Sequence, residues 1–251
     1  MASHTLEVLK AVVQNGILVV PFVRRLALRT HDTGIDGDPA EARTAFEFLT
    51  AHAPVAGKRV LELGPGKTLE VMELARDAGA RPAAADIVAH LSPTQARERG
   101  VDYRVYDGEH LPWPDASFDV VFAHYVLQHV RSPASAVLEI ARVLAPGGRL
   151  VGRVDLRDHY HMFEPGREFH CLRHPAWLWR LMTWNRGSYV NRLRCPAWLA
   201  LFDVAGLRVV HLERHRDPAL LEANRRHRYL RTLADEELAT FRFDAVVERP
   251  A

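Results

Sequence analysis

The stretch LELGPGKT, Leu61 to Thr68, lies between two different patterns of apolar residues. Before it, Lys58–Leu63 is a short apolar run typical of a buried strand, and Leu69–Asp77 after it has helical spacing. The sequence therefore predicts a strand, a glycine turn and a helix. Turns of this kind hold nucleotides at the carboxyl ends of parallel strands, so the question is which nucleotide this turn holds.

The alternation of strand and helix continues well beyond the turn. Strands are predicted at Lys58–Leu63, Arg81–Asp86, Val101–Asp107, Ser117–Val126, Arg149–Leu156, Leu207–Arg214 and Phe241–Arg249. Helices separate the first five, which is typical of a parallel sheet. We therefore predict an α/β fold with a doubly wound, mainly parallel seven-stranded sheet, helices on both faces and an added helical cap.

Four segments are predicted along the chain. A helix over Thr5–Arg29, divided at Pro21, and a second over Ala40–His52 would form an N-terminal helical cap at residues 1–56. The nucleotide-binding core would span 57–157. A substrate-cap insertion rich in His, Trp and Arg would occupy 158–195, and the C-terminal part of the sheet 196–251.

Composition narrows the class of protein. The 251 residues are 48% hydrophobic and 25% charged, which suits a globular protein with a substantial core. A formal charge of +2 is too small to indicate nucleic-acid binding. The two cysteines, Cys171 and Cys195, have neither disulfide-framework nor metal-ligand spacing, so we expect a reduced, cytoplasmic setting. No apolar run reaches the ~18–20 residues of a spanning helix, and the apolar run Gly16–Val23 lacks the features of a signal peptide.

Two nucleotide motifs resemble the turn only in part. A P-loop requires a glycine five residues before its GK pair, where Leu61 stands. A dinucleotide fingerprint would have its third glycine at position 69, which is Leu69. Both interpretations are disfavoured.

A third interpretation takes in the motifs on the carboxyl side of the turn. Asp86 closes the second strand, 24 residues after Glu62, where a carboxylate can bind both hydroxyls of a ribose. YDGEHLPWPDASFDVVFAHYVLQHV (Tyr106–Val130) and RVLAPGGRLV (Arg142–Val151) come next. In this order and spacing, the motifs from Val60 to Val154 resemble the class I S-adenosylmethionine-dependent methyltransferases of the small-molecule type, which have a Rossmann-like fold.

The resemblance implies a role for each matching position. The turn would line the methionine and ribose side of S-adenosylmethionine, Asp86 would bind the ribose hydroxyls, and Asp107 would accept from the adenine amino group. The full set of cofactor-binding positions implied is Glu62, Gly64, Pro65, Gly66, Asp86, Ile87, Asp107, Gly108 and His124. Thr68 stands where the family usually has glycine; its hydroxyl is suited to capping the following helix.

Methyl transfer needs a base only if the acceptor loses a proton in the transition state. The candidates near the carboxyl ends of the fourth and fifth strands are His124, Tyr125, His129, His159 and His161. His129 also suits a helix start. The spacing of these histidines does not indicate a metal site, so none is predicted.

The acceptor is expected to contact the cap. Arg186, Tyr189 and Arg192 are predicted to bind it, because arginine forks suit a carboxylate or phosphate, although a solvated basic loop explains them equally well. We therefore expect methyl transfer to an oxygen or nitrogen of a small, natural-product or sugar-like molecule. The alternative is a cyclase or lyase that uses S-adenosylmethionine without transferring methyl.

The sequence also bears on other partners. Ala123–Val126 (AHYV) lacks the Asn/Asp-Pro-Pro-aromatic sequence of base methylators, which disfavours nucleic acid. The apolar N-terminal helix followed by Arg24 and Arg25 could contact a membrane surface or a second copy in a homodimer. A lid or buried cap helix is favoured over the membrane contact.

Overall fold

The computed structural model describes residues 4–20, 22–23, 38–158, 167–184, 189–227 and 229–251. The chain forms two compact units. The larger comprises Thr33–Leu156, Leu193–His215 and Arg242–Ala251, and the smaller comprises Met1–Asp32, Arg157–Arg192 and Arg216–Phe241.

The sheet has seven strands in the order β3-β2-β1-β4-β5-β7-β6. The strands are β1 Arg59–Leu63, β2 Arg81–Asp86, β3 Asp102–Val105, β4 Phe118–His124, β5 Leu144–Asp155, β6 Arg208–Arg216 and β7 Thr240–Glu248. Strands β3, β2, β1, β4 and β5 pair in parallel, and β7 is antiparallel to β5. The predicted α/β fold with a mainly parallel seven-stranded sheet is confirmed.

Helices are distributed between the two units. Those of the larger unit are α2 Pro39–His52, α3 Glu70–Asp77, α4 Pro93–Glu98, α5 Pro133–Val143 and α7 Cys195–Val204; those of the smaller are α1 His4–Ile17, α6 Ala176–Thr183, α8 Pro218–Arg225 and α9 Asp235–Ala239. Helix α4 begins with a capping box in which the Ser92 hydroxyl accepts from Gln95 N–H, and the Gln95 side chain accepts from Ser92 N–H.

Successive side chains of a strand point to opposite faces of the sheet, and each face has its own core. One face buries Leu61 and Val121 against α5 and α7, whose buried members include Ile140 and Trp198. The other face buries Val60, Val120 and Phe122 against α2, α3 and α4, with Leu49, Met72 and Ala96 among them. The predicted helices on both faces are therefore present.

The structure differs from the predicted elements in three places. Strand β5 begins at Leu144, before the APGG segment, and its pairing with β4 shifts register between Phe118 and Val120. The sequence pattern does not predict helices α8 and α9, because they are short: eight and five residues. Helix α1 ends at Ile17, and Pro21, the predicted break, lies outside the described residues.

The smaller unit packs α1 against α6. The side chain of Asn15 on α1 is buried and donates hydrogen bonds to the carbonyl oxygens of Ala11 and Met182. The opposite side of α1 exposes Leu9, Val13 and Ile17. In the part of the chain that the structure describes, helices fall short of the length and apolar content needed to cross a membrane.

Candidate cofactor and acceptor site

The glycine turn (residues 64–68) follows β1 directly. Gly64 and Gly66 have φ values of 62° and 69°, in the left-handed region that favours glycine. Gly64 N–H donates to the carbonyl oxygen of Ala85 at the end of β2, over 2.8 Å. A Cβ atom added at Gly64 would lie 2.4 Å from Cγ2 of Val126, so the turn fits against the segment that follows β4 only because this residue has no side chain.

Asp86 connects the end of β2 to this turn. Its carboxylate is buried and accepts from Gly66 N–H at 3.1 Å and from Val88 N–H at 3.0 Å. Burial raises the pKa of Asp86 above its ordinary value, although both N–H groups act in the opposite direction. The predicted ribose-binding carboxylate therefore lies beside the predicted turn.

Glu62, in the last part of β1, is a buried acid on the same side of the site. Its Oε2 atom has no hydrogen-bond partner among the described residues. Burial, together with the nearby charge of Asp86, raises the pKa of Glu62 to about 8. A buried carboxyl oxygen without a partner is costly, and a cationic group bound beside it would remove that cost.

Ile87 and the loop after β3 form a further edge of the site. The Ile87 side chain is 61% exposed, and its Cγ2 lies 3.5 Å from where a Cβ of Gly108 would be. Asp107 accepts from the N–H groups of His110 and Glu109, both at 2.7 Å, and these bonds lower its pKa. An exposed apolar side chain, a glycine backbone and an ionised carboxylate are thus neighbours in this loop.

His124 is the last residue of β4, and its ring packs against the aromatic rings of Phe48 and Phe122. Its ring stacks on Phe122, with centroids 5.6 Å apart, and lies 6.1 Å from the ring of Phe48 on α2. Burial, and then the positive charge of Arg153, lower the pKa of His124 to about 3. The imidazole is therefore neutral and a weak proton acceptor at physiological pH.

Tyr125 follows in a conformation unusual for a residue with a side chain. Its φ is 56°, a strained value that clusters at functional sites. Its N–H donates to the carbonyl oxygen of Arg153 at 2.9 Å, and its hydroxyl accepts from Nη1 of Arg242 at 3.1 Å. The ring is 36% exposed, next to the Val126 that closes the glycine turn.

The structure describes some of the remaining residues that were predicted to act in catalysis or acceptor binding, and others lie outside the described residues. His129 ends a 3₁₀ turn, Leu127–His129, and does not start a helix; its N–H donates to the Val126 carbonyl oxygen. In the smaller unit, Arg192 donates to the His174 carbonyl oxygen at 2.7 Å, and Tyr189 packs beside the buried cluster of Cys171, Trp179 and Val190. His159, His161 and Arg186 lie outside the described residues.

The structure also brings together polar residues that the sequence motifs did not single out. Arg153 on β5 donates to both carboxylate oxygens of Asp244 on β7, and Nε2 of His215 on β6 lies 3.2 Å from the same carboxylate. Glu213, His215 and Asp244 have potential metal-ligand atoms within 4.8 Å of one another. Because Arg153 already neutralises Asp244, its guanidinium provides the positive charge that a metal would supply.

The segment that contains these residues is similar to known proteins. A family model described as a methyltransferase domain matches residues 61–152. The chain is 39% identical over 105 residues to the demethylmenaquinone methyltransferase of Clavibacter sepedonicus, a match covering 40% of this chain and 42% of that protein. It is 38% identical over 111 residues to the ubiquinone biosynthesis O-methyltransferase of Nitrosococcus oceani, covering 42% and 47%. The chain thus matches less than half the length of either relative.

The fold likeness extends further along the chain than the sequence likeness. The crystal structure of the [4+2]-cyclase SpnF superposes with a TM-score of 0.58 at 20% identity, covering 88% of this chain and 85% of that one. The matched domain contains the glycine turn, Asp86, Asp107 and His124. Residues 61–152 therefore form a methyltransferase domain, which confirms the predicted resemblance to the class I S-adenosylmethionine-dependent methyltransferases. S-adenosylmethionine, the predicted cofactor, is bound in the solved structure of Haemonchus contortus phosphoethanolamine N-methyltransferase 2, which shares this fold (TM-score 0.57, 16% identity, 83% of this chain and 53% of that one).

Proposed function

We propose that this protein transfers a methyl group from S-adenosylmethionine to an oxygen or nitrogen of a small-molecule acceptor, of a natural-product or sugar-like kind. The observation that carries the proposal is the closure of the Gly64 turn against Val126, beside the buried acids Glu62 and Asp86. These features lie at the carboxyl ends of β1, β2 and β4, where open α/β sheets bind their ligands.

The residues present fit this cofactor. The buried Glu62 oxygen that has no partner among the described residues suits the ammonium group of the methionine part. Asp86 would accept from the ribose hydroxyls, with Gly64, Pro65 and Gly66 supplying backbone close to the ligand. Ile87, Gly108 and Asp107 would hold the adenine through apolar contact, a backbone N–H and a carboxylate.

When bound, the cofactor supplies a methyl group already activated by its sulfonium sulfur. The protein therefore contributes mainly by holding the acceptor in line, and such positioning can lower a barrier by ~7–11 kcal/mol. Val126, which lies against the glycine turn, and its neighbour Tyr125 would contact the acceptor next to the methionine end.

The structure argues against one of the candidate bases and leaves the others as predictions. A pKa of about 3 makes His124 poorly suited to accept a proton at neutral pH, so we assign it to packing against Phe48 and Phe122. His129 lies at the end of a 3₁₀ turn, and its role as a base stays a prediction. His159 and His161, and the acceptor-binding roles of Arg186, Tyr189 and Arg192, stay predictions.

A second candidate function is cyclisation or elimination without methyl transfer. It is favoured by one observation, the likeness of fold to the [4+2]-cyclase SpnF over 88% of the chain. The by-product separates the two: S-adenosylhomocysteine accompanies methyl transfer, methylthioadenosine indicates a lyase-type reaction, and unchanged cofactor indicates cyclisation.

Isothermal titration of the full chain with S-adenosylmethionine tests the proposed function. Saturable binding, followed by methyl incorporation from methyl-labelled cofactor into members of a phenol, amine and sugar panel, is the expected result. Absence of binding at millimolar cofactor would exclude the proposal.

Helix α1 bears on the proposed partners. We propose that it acts as a cap helix, with a homodimer contact as the alternative use of its exposed side, which carries Leu9, Val13 and Ile17. Equal liposome co-sedimentation of the full chain and of a variant lacking residues 1–29 is expected. Stronger pelleting of the full chain would instead favour a membrane contact, and light scattering after size exclusion reports the dimer.

A further inference from the structure

Gln128 lies in the 3₁₀ turn that follows β4, and only 7% of it is exposed. Its amide nitrogen donates to the carbonyl oxygen of Tyr125 at 2.8 Å and lies 3.3 Å from Nε2 of His129. Its amide oxygen, Oε1, is buried and has no hydrogen-bond partner among the described residues. The two ends of this buried amide are therefore satisfied unequally.

The orientation of the Gln128 amide follows from the groups around its nitrogen. The carbonyl oxygen of Tyr125 can only accept, so the amide must turn an N–H group toward it; the reverse orientation would place two oxygens 2.8 Å apart. The second N–H of the same nitrogen points to a neighbour in Nε2 of His129. Oε1 is thereby held as a hydrogen-bond acceptor, and a buried acceptor left unpaired is costly.

The turn that carries Gln128 lies beside the proposed methionine end of the cofactor site. Tyr125 joins the turn to β4 with a φ of 56°, and the Val126 side chain lies against Gly64 of the glycine turn. Because the Gln128 side chain is buried, a ligand reaches Oε1 only if this turn shifts. Strained backbone such as that of Tyr125 is typical of segments that move or bind ligands.

The charged groups beside Tyr125 are arranged as two pairs of opposite sign. Arg242 donates to the Tyr125 hydroxyl, and Asp155 lies directly opposite Arg242 in the antiparallel pair of β5 and β7. Two residues along the same face, Arg153 is opposite Asp244 and donates to both of its oxygens. These two pairs balance in charge, which suits a neutral acceptor better than an anion.

We propose that Gln128 determines the specificity for the acceptor: its Oε1 accepts a hydrogen bond from the N–H of a neutral, weakly basic amine, whose nitrogen receives the methyl group. This inference rests on the proposed function and specifies nitrogen as the methylated atom. An aromatic amine supplies the donor that Oε1 lacks. A phenolate oxygen has no hydrogen to donate and would leave the buried oxygen unpaired.

An amine also needs no base during the transfer. Its nitrogen lone pair bonds to the methyl carbon while the electron pair of the carbon–sulfur bond stays on sulfur. The nitrogen becomes positively charged and then releases a proton to solvent. A phenol either keeps its proton and stays a poor nucleophile or ionises and loses the hydrogen bond to Oε1. Neither an amide oxygen nor His124, with a pKa of about 3, is suited to take that proton.

The test compares aniline with phenol, two probes of nearly the same size that differ in the reacting group. The full chain is incubated with each probe and methyl-labelled S-adenosylmethionine at neutral pH, where aniline is uncharged, and labelled N-methylaniline and anisole are measured. We expect kcat/KM for aniline to exceed that for phenol by about tenfold or more, the effect typical of one hydrogen bond to a buried polar group.

Two variants make the test specific to Oε1. Gln128→Met keeps the length of the side chain without its oxygen, and should lower kcat/KM for aniline by about tenfold or more and that for phenol much less. The ratio of the two should therefore fall. The matched control is Gln95→Met, which removes the amide from the capping box of α4 and should leave the ratio as in the wild type, whatever it does to stability.

The ratio separates a role in specificity from a purely structural role. If Gln128 only holds Tyr125 in place, Gln128→Met lowers both rates together and leaves the ratio unchanged, which would overturn the inference. Phenol methylated as fast as aniline, or aniline left unmethylated by a chain that binds the cofactor, would overturn it too. The affinity for S-adenosylhomocysteine is measured in each variant by calorimetry. Normal cofactor binding with the wrong selectivity rejects this inference alone, whereas a wild type that does not bind the cofactor rejects the proposed function.

Discussion

Arg153 and Asp244 lie directly opposite each other in the antiparallel pair of β5 and β7 and are joined by two hydrogen bonds of 2.8 and 2.7 Å. The side chains are 16% and 3% exposed. Burial alone would raise the pKa of Asp244, but the Arg153 guanidinium lowers it, so the acid is ionised. Asp244→Ala would leave a buried guanidinium unpaired and should lower the free energy of unfolding by ~3–5 kcal/mol.

Denaturant unfolding followed by circular dichroism measures this loss. The matched control is Arg208→Ala, since Arg208 pairs with Glu248 at 2.7 Å but its side chain is 68% exposed. Exposed pairs typically contribute little to stability, so the control should unfold almost as the wild type does. Equal effects of the two substitutions would show that Asp244 is not held as described.

Gly64→Ala should damage the glycine turn in two ways. The new methyl group would lie 2.4 Å from Val126 Cγ2, and the backbone has a φ of 62°. Gly57→Ala is the matched control: its φ is 73°, yet no atom of the described residues lies within 4 Å of the new Cβ. In both variants a residue with a side chain must adopt a left-handed backbone, which costs ~1–3 kcal/mol. Any additional loss of stability in Gly64→Ala therefore measures the clash with Val126.

The double variant Gly64→Ala/Val126→Ala should recover part of that additional loss, because the closest atom has been removed. Thermal unfolding and titration with S-adenosylhomocysteine give the stability and the affinity. If Gly64→Ala binds the cofactor as tightly as Gly57→Ala, the turn does not contact the ligand.

Glu62 makes stability depend on pH in a specific direction. Its pKa is raised from 4.5 to about 8 in the folded protein, so between these values the folded state holds a proton that the unfolded state has lost. The contribution of Glu62 to the free energy of unfolding should therefore be largest below pH 4.5. It should fall by up to ~1.4 kcal/mol per unit as pH rises to about 8.

Glu62→Gln should flatten this part of the stability–pH curve, which denaturant unfolding across about pH 5–9 would detect. The same variant should bind S-adenosylmethionine about tenfold or more weakly, since a charge-assisted bond contributes ~1.5–3 kcal/mol. Wild-type binding should release a proton near neutral pH, which calorimetry in buffers of different ionisation enthalpy reports. An unchanged slope in the variant would remove Glu62 as its source.

His124→Phe should preserve most of the activity. The neutral ring stacks on Phe122, and phenylalanine keeps that contact. Loss of a general base typically costs ~10²–10⁴-fold in rate, so a loss of under about tenfold in kcat, with an unaltered pH profile, is expected. A hundredfold loss would identify His124 as a base after all.

Much of the cofactor region could be predicted because its determinants are local. The glycine turn, Asp86 and Gly108 belong to short motifs whose conformation depends on neighbours in sequence. The Thr68 hydroxyl, for instance, accepts from the N–H of Glu70, the first residue of α3, although the N-cap position itself is Leu69. The alternation of strands and helices was equally visible, since the central strands are buried on both faces.

The side-chain contacts of Arg153 with Asp244 and of Tyr125 with Arg242 could not be predicted, because they span the sheet. Arg153 and Asp244 are 91 residues apart, and Tyr125 and Arg242 are 117 apart. Only the antiparallel register of β5 and β7 brings them together. A charged residue at alternate positions within otherwise apolar strands, as in RVDL and FRFD, was the available signal. The pKa of His124 was hidden for the same reason, since Phe48 and Arg153 surround it.

The most direct measurement is calorimetric titration of S-adenosylhomocysteine into the wild type, Asp86→Asn and Asp77→Asn. Asp86 is buried at the end of β2, whereas Asp77 is an exposed acid at the end of α3. We predict that Asp86→Asn weakens binding about tenfold or more while Asp77→Asn matches the wild type. Undiminished affinity in Asp86→Asn, in a protein that unfolds at the wild-type temperature, would show that the nucleoside binds elsewhere.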